Sequence, residues 1–247
     1  CQMPCPKGKI AEKPSLMGED RTKDENYGEG HRSRLRERLL SGGGDALLDH
    51  ELIEYLLAVV RPRLDTKPIA KALLAHYGNL ASLVTADVES LKQQPQMGET
   101  SVAAIKIVQA VALRMLSEPV REQPILASWQ SLLDYLRADM AHLTIERVRL
   151  LYLNSKNMLI RDEIASEGSL DQAAVYTREV IRRAIDLGAA AIILVHNHPS
   201  GDSAPSRQDI ALTRDIAEAG KRLGISVHDH VIIGKDGFTS LRSAGLI

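Results

Sequence analysis

The chain has 247 residues, room for one large domain or two modest ones. Its 31 basic and 32 acidic residues nearly cancel, so no global charge draws it to nucleic acid, and one Trp and one Phe are too few for a base-stacking platform. No run approaches the roughly 20 apolar residues of a membrane span, and only two cysteines, Cys1 and Cys5, are available for a disulfide scaffold. The expectation is a cytoplasmic protein with no membrane contact.

Residues 1–29 lack hydrophobic periodicity and are rich in charge, Pro and Gly, the composition of a disordered tail. They contain no apolar stretch of the kind a secretory signal needs. Cys1 and Cys5 have no second ligand pair nearby, so a metal site there is disfavoured.

Residues 30–116 read as a small all-α module. A short basic helix spans His31 to Leu40 and stops at Gly42-Gly43-Gly44. Asp49 to Val60 places Leu52, Ile53, Leu56, Leu57 and Val60 on one stripe, and Pro62 breaks it. Pro68 opens a helix reaching about Tyr77. Short helices follow near 79–83 and 86–93, and a longer one from about Thr100 to Met115. The four arginines Arg32, Arg34, Arg36 and Arg38 fall on several helix faces, whereas phosphate binding needs a clustered basic face. Residues 117–124 (SEPVREQP) carry Pro and charge and are expected to be a linker, leaving 125–247 as a second domain.

That second domain opens with a helix from about Ser128 to Met140. Glu146 to Leu153 alternates charged and apolar residues before turning wholly apolar, as a strand entering a core does; after a turn at 154–157, Met158 to Ala165 returns as its hairpin partner. A loop then runs from Gly168 through Tyr176. Thr177 is placed to cap the helix Arg178 to Leu187, and Gly188 ends it.

The next run, Ala189 to Val195, has the length and β-branched content of a buried strand, and it ends in His196-Asn197-His198. With a period of two, both imidazoles project from one face of the strand. Pro199-Ser200-Gly201-Asp202 turns the chain, and Ser206 and Asp209 open a helix that continues to Leu223. Ser-x-x-Asp before an apolar run is also the pattern of a capping box. The conjunction nevertheless favours metal: two imidazoles and a carboxylate make a three-ligand zinc set with one open position, the mark of a catalytic site. Ile225 to Ile233 and Phe238 to Leu241 complete the strands.

His196-x-His198, Ser206 and Asp209 together resemble the His-x-His-x7-Ser-x2-Asp motif of the JAMM (MPN-plus) metalloproteases. The longer string HNHPSGDSAPSRQD, with Asp229-His230 downstream, resembles the bacterial RadC branch of that family. The resemblance implies an α/β (α+β) domain of MPN/JAMM type, a mixed sheet flanked by helices in a layout similar to cytidine deaminases, here preceded by the all-α module. It also implies Zn2+ held by His196, His198 and Asp209, with Ser206 steadying a polarised carbonyl and a glutamate acting as general base. Glu146, at the start of its strand, is the preferred base; Glu163 and Glu167 are its rivals. The implied activity is cleavage of peptide or isopeptide bonds in a protein substrate.

Proteins of this kind usually carry Gly-x-Gly in a helix hairpin that approaches DNA phosphates, at the position of Gln96-Met97-Gly98. Gln96 replaces the first glycine and is expected to hinder that approach. The resemblance also implies an alternative function, a non-enzymatic DNA repair- or replication-associated interaction or DNA-binding protein whose zinc site is structural or vestigial. His228 and His230 form a second His-x-His pair, without a following carboxylate, while Asp229 or His230 is expected to support a ligand from behind. A zinc nucleobase deaminase needs core cysteines in Pro-Cys-x-x-Cys, which this chain lacks. His196-Asn197-His198 also lacks the dispersed layout of the HNH nucleases.

Overall fold

The computed structural model describes residues 22–168 and 175–247. The region expected to be a disordered tail lies outside the described residues up to position 21, Cys1 and Cys5 included. From there it departs from expectation, because the first helix, α1, spans Thr22–Gly42 rather than beginning at His31.

Helices α2 (Asp49–Val60), α3 (Lys67–Tyr77), α4 (Leu80–Thr85), α5 (Val88–Lys92) and the first half of α6 (Glu99–Glu122) build the N-terminal module. Its core gathers Ile53, Leu57, Leu73, Leu83, Leu91, Val102 and Ile105. Two of the four arginines are committed inside the module. Arg32 donates to the carbonyls of Pro62 and Leu64, and Arg38 pairs with Glu51 at 2.9 Å.

The expected linker at 117–124 is helical as far as Glu122. A proline inside a helix costs on the order of 3 kcal/mol. At Pro119 that cost is offset by what the last turn of α6 buries. Val120 is fully enclosed in the core of the second domain, and Leu113 and Leu116 pack against it. The two domains thus share one helix. By length and composition α6 is also the one helix among the described residues apolar enough to cross a membrane. Its two ends are embedded in the two domain cores, and Ile107, Val111 and Met115 stay exposed between them.

The second domain is a five-stranded mixed sheet, ordered β2-β1-β3-β4-β5, with helices on both faces. The strands are β1 (Glu146–Leu153), β2 (Leu159–Gly168), β3 (Ala191–Asn197), β4 (Ser226–Ile233) and β5 (Phe238–Ser240). Only β3 and β4 run parallel, joined by α9 (Arg207–Lys221). Leu151, Leu153, Ile193, Val195 and Val231 meet α7 (Trp129–Met140) through Leu132, Leu133 and Leu136. On the other face Leu150, Tyr152, Ile192 and Leu194 meet Val180 and Ala184 of α8 (Thr177–Asp186) and Ile216 of α9. Covered on both sides, β3 is apolar from Ala191 to Val195, which is why that run does not alternate.

Two boundaries differ from expectation. Strand β2 runs on to Gly168, so Glu167 lies on the strand instead of after it. Thr177 is the first helical residue of α8 rather than its cap, the capping position being Tyr176. The expected loop after Gly168 lies outside the described residues from 169 to 174.

The two arginines of β1 are explained by the α7 face. Arg149, only 8 % exposed, reaches Asp139, Asp162 (2.5 Å) and the Tyr135 hydroxyl, and Arg147 reaches Asp139 and Glu167. Buried charge of this kind persists only when paired on several sides.

Candidate metal centre

Strand β3 ends beside β1 and β4, with His196 opposite Val148 on one side and Ile232 on the other. His196 is buried, 2 % exposed, and its ring centroid lies 4.8 Å from that of His198. The turn that follows is held against the end of β4. The His198 N–H donates to the Ile233 carbonyl, the Lys235 N–H donates to the Gly201 carbonyl, and Gly201 has φ +87°. A side chain at Gly234 would meet the Gly201 carbonyl at 2.5 Å, so only glycine permits this approach. The turn in turn brings the Asp202 carbonyl to His198 Nδ1, 2.7 Å away.

Asp209 arrives from α9. Ser206 is the N-cap: its Oγ accepts the Asp209 N–H at 3.1 Å, while Asp209 Oδ2 accepts the Ser206 N–H at 2.7 Å. The capping box and the ligand pattern are therefore not alternatives. The cap uses Oδ2 and fixes the carboxylate so that Oδ1 lies 3.4 Å from His196 Nε2.

Three donors converge here. His196 Nε2 and His198 Nε2 are 2.9 Å apart, and Asp209 Oδ2 is 3.7 Å from His198 Nε2. Ligands about 2.0–2.1 Å from a tetrahedral ion stand about 3.3 Å from one another, and the observed spacings bracket that value. Among the described residues this is the one histidine, cysteine and carboxylate cluster compact enough to hold a metal ion. The donor chemistry fits as well. The Asp202 carbonyl accepts from the Nδ1–H of His198, which turns Nε2 toward His196 and Asp209; the Asp209 hydrogen bond raises the His198 pKa, so Nε2 becomes a metal donor by giving up its proton. Burial lowers the His196 pKa to about 4, with Asp209 opposing and His198 assisting, so this ring is a neutral donor at physiological pH. Burial works to raise the Asp209 carboxyl, but the His198 hydrogen bond, the neighbouring His196 and the bonds from Ser206 hold it well below the usual carboxylate range.

Glu146 lies two residues before Val148, on the β1 face that carries His196. Two bonds from Asn197 bracket it: the Arg147 N–H donates to Asn197 Oδ1 at 2.9 Å, and Asn197 Nδ2 donates to the Ile145 carbonyl at 3.0 Å. The residue between the two histidines thus anchors the start of β1 to the tip of β3. Burial pushes the Glu146 carboxyl up, the field of His198 opposes that, and the charge of Asp209 adds to it. Among the described residues Glu146 has no hydrogen-bond or ion-pair partner. Its rivals do: Glu163 is held by Arg183, and Glu167 by Arg147.

Behind the ligands, His230 Nε2 lies 2.7 Å from His196 Nδ1, and His230 Nδ1 lies 2.6 Å from Thr213 Oγ1. A bulge in β4 makes this contact. Ile192 pairs with Val227 but Ile193 pairs with Asp229, so the extra residue, His228, drops out of register. His228 bonds Asn157 at the opposite end of the sheet, and His230 turns to the His196 face, which rules out a shared site for the His228/His230 pair. Asp229 supports no ligand directly. It accepts from Ser240 Oγ, from the Arg242 N–H and from the His230 N–H, pinning the C-terminal segment. Sequence reasoning found His230 but missed Asn197 and Thr213. The only signals for them are their positions between the two histidines and one helical turn after Asp209.

In the module, the hairpin before α6 adopts the turn a glycine would give, because Gln96 itself takes φ +64°. Its carbonyl is 3.5 Å from Arg61 Nη1.

Two family matches cover this architecture. The RadC-like JAB domain matches residues 126–246, the whole of the sheet and its flanking helices from α7 onward, and the UPF0758 N-terminal domain matches residues 30–103 in the helical module. With both domains present in this order and the His-His-Asp cluster at the tip of β3, the chain belongs to the RadC family.

Proposed function

We propose that the protein is a zinc-dependent hydrolase that cleaves peptide or isopeptide bonds. One observation carries the reading: two imidazole nitrogens and a capped carboxylate converge at a strand tip, with an unpartnered, partly buried carboxylate on the adjoining strand. Zinc held by His196, His198 and Asp209 supplies Lewis-acid chemistry, activating water and polarising a carbonyl. Glu146 takes the proton of the attacking water and delivers it to the departing amine, a task suited to a carboxyl raised above its ordinary range. Ser206 accepts from the Asp209 N–H, so its own O–H proton is free to donate to the oxygen that gains negative charge as the amide carbon becomes tetrahedral. Asn197 keeps Glu146 level with the ligands by clamping both neighbouring peptide groups.

The DNA-binding alternative has less support, since Arg32 and Arg38 are already engaged within the module. The test is metal analysis coupled to an unbiased peptide-cleavage screen of the full chain. Wild-type protein is expected to hold about one zinc per chain. Glu146→Gln should retain the zinc and lose at least about 100-fold in turnover, the contribution of general-base catalysis. Loss of turnover in Glu163→Gln or Glu167→Gln, with Glu146→Gln active, would reassign the base. Zinc-free wild-type protein that still cleaves would refute the reading.

A further inference from the structure

A single chain of polar contacts links both ends of the candidate ligand set through the protein interior. It runs from His196 Nδ1 to His230 Nε2 (2.7 Å), from His230 Nδ1 to Thr213 Oγ1 (2.6 Å), and from Thr213 Oγ1 to the backbone carbonyl of Asp209 (2.5 Å). Thr213 is 0 % exposed, His230 1 % and His196 2 %, so water does not compete for these atoms.

The proton positions along the chain follow from its last member. A carbonyl oxygen can only accept, so the one hydroxyl proton of Thr213 is donated to Asp209. Thr213 Oγ1 must then accept from His230, which places the His230 proton on Nδ1. His230 Nε2 is left with a lone pair and can only accept, so His196 carries its proton on Nδ1. The outcome is fixed at His196 Nε2, which turns its lone pair toward His198 Nε2 and Asp209.

We infer that Thr213 and His230 are positioning residues that lock His196 in its Nδ1–H tautomer, holding Nε2 ready to ligate a metal. The inference rests on the zinc reading for its purpose, but the proton assignment stands on the contacts themselves. The same Thr213 hydroxyl bonds the backbone of Asp209, so one side chain orients both a histidine ligand and the carboxylate ligand. His198 Nδ1 is held by a separate route, through the Asp202 carbonyl. A helix threonine that back-bonds four residues earlier is ordinarily neutral to slightly unfavourable for the helix. Here its acceptor lone pair has a buried partner.

The test uses full-length protein with 15N-labelled histidine, stripped of metal, and long-range 15N–1H correlation spectra that identify the protonated ring nitrogen. His196 and His230 are both expected to be protonated on Nδ1. Thr213→Val should mix the His196 tautomers and weaken zinc affinity, measured against a competing chelator, by about 10–100-fold, the usual effect of losing a partner behind a ligand. Thr213→Ser should restore both. A His196 found protonated on Nε2 in the wild-type protein overturns the inference, as does a folded Thr213→Val variant that keeps one tautomer and wild-type zinc affinity. If Thr213→Val fails to fold, the wild-type spectrum still decides. Wild-type protein that takes up no zinc while His196 holds its proton on Nδ1 refutes the hydrolase reading and leaves the proton assignment intact.

Discussion

Asp209 performs two tasks with two oxygens, and substitution can separate them. Oδ2 accepts the Ser206 N–H in the capping box, while Oδ1 faces His196 Nε2. Asp209→Asn keeps an oxygen for the cap and removes the anionic ligand; Asp209→Ala removes both. Structural zinc sites with four ligands bind with about 10–16 kcal/mol, roughly 2.5–4 kcal/mol per ligand, so losing one should weaken zinc about 10²–10³-fold. At a free zinc concentration 100 times the wild-type Kd, binding stabilises the wild-type fold by about 2.7 kcal/mol. For a chain of this size that is a rise in Tm of about 5–11 °C. Under the same conditions Asp209→Asn retains less than about 0.5 kcal/mol of that effect, a shift near 1 °C. Without metal the order differs: Asp209→Ala should melt about 2–4 °C below Asp209→Asn, because losing the reciprocal bond to the Ser206 N–H costs about 1 kcal/mol while Ser206 still caps the helix. Differential scanning fluorimetry with and without zinc reads both quantities. A zinc-induced shift in Asp209→Asn equal to wild type would remove the carboxylate from the ligand set. Equal metal-free Tm values for the Asn and Ala variants would show that the bond from the Ser206 N–H to the Asp209 side chain contributes nothing.

Two further expectations concern the scaffold. Arg149→Ala strands Asp139 and Asp162 against a buried strand and should destabilise the second domain by about 3–5 kcal/mol, measured by urea denaturation; a loss under 1 kcal/mol would mean the carboxylates find water. In the helical module, the Arg38 hydrogen bond and then the Leu48 N–H lower the pKa of Glu51. A depressed folded-state value contributes stability that is present above the unfolded-chain value near about 4.3 and is lost as pH falls through the folded one. Melting curves across pH 3–6 should therefore show an acid-side decline that Glu51→Gln flattens, and an unchanged decline would place its origin elsewhere.

The His196, His198 and Asp209 cluster was legible in the sequence because its signals are local. Two histidines at period two on a strand tip, and a Ser-x-x-Asp helix start, each follow from backbone geometry that a few residues determine. The apolar run Ala189 to Val195 marked a buried strand for the same reason. What escaped were features decided by packing across the fold. The charge and proline of 117–124 suggested a linker, yet Val120 and Leu116 find apolar partners that only the folded second domain supplies, and α6 continues through. Strict alternation put His228 and His230 on one face, and the single bulge that separates them has no signature in the local residues. Asn197 was overlooked because it points away from the two ligands, toward the peptide groups around Glu146 that it holds.

The arrangement ties the convergence of the three candidate donors to the integrity of the fold. His196 is held by the sheet, His198 by a turn that a glycine contact with β4 makes possible, and Asp209 by the first turn of α9. None of the three shares a secondary-structure element with both others, so the donors converge only when β3, β4 and α9 are all in place. The parallel β3–β4 pair, the only one in the sheet, supplies that alignment: its crossover helix must begin near the tip of β3 and pack back along the sheet. Thr213, one turn into that helix, then meets His230 on β4 behind the ligands. A slip of β4 by one residue would turn His230 to the opposite face and break the contact with His196 while leaving the three donors in the sequence untouched. The His-x-His…Ser-x-x-Asp motif is thus necessary for the site but not sufficient; the register of a strand that contributes no ligand completes it.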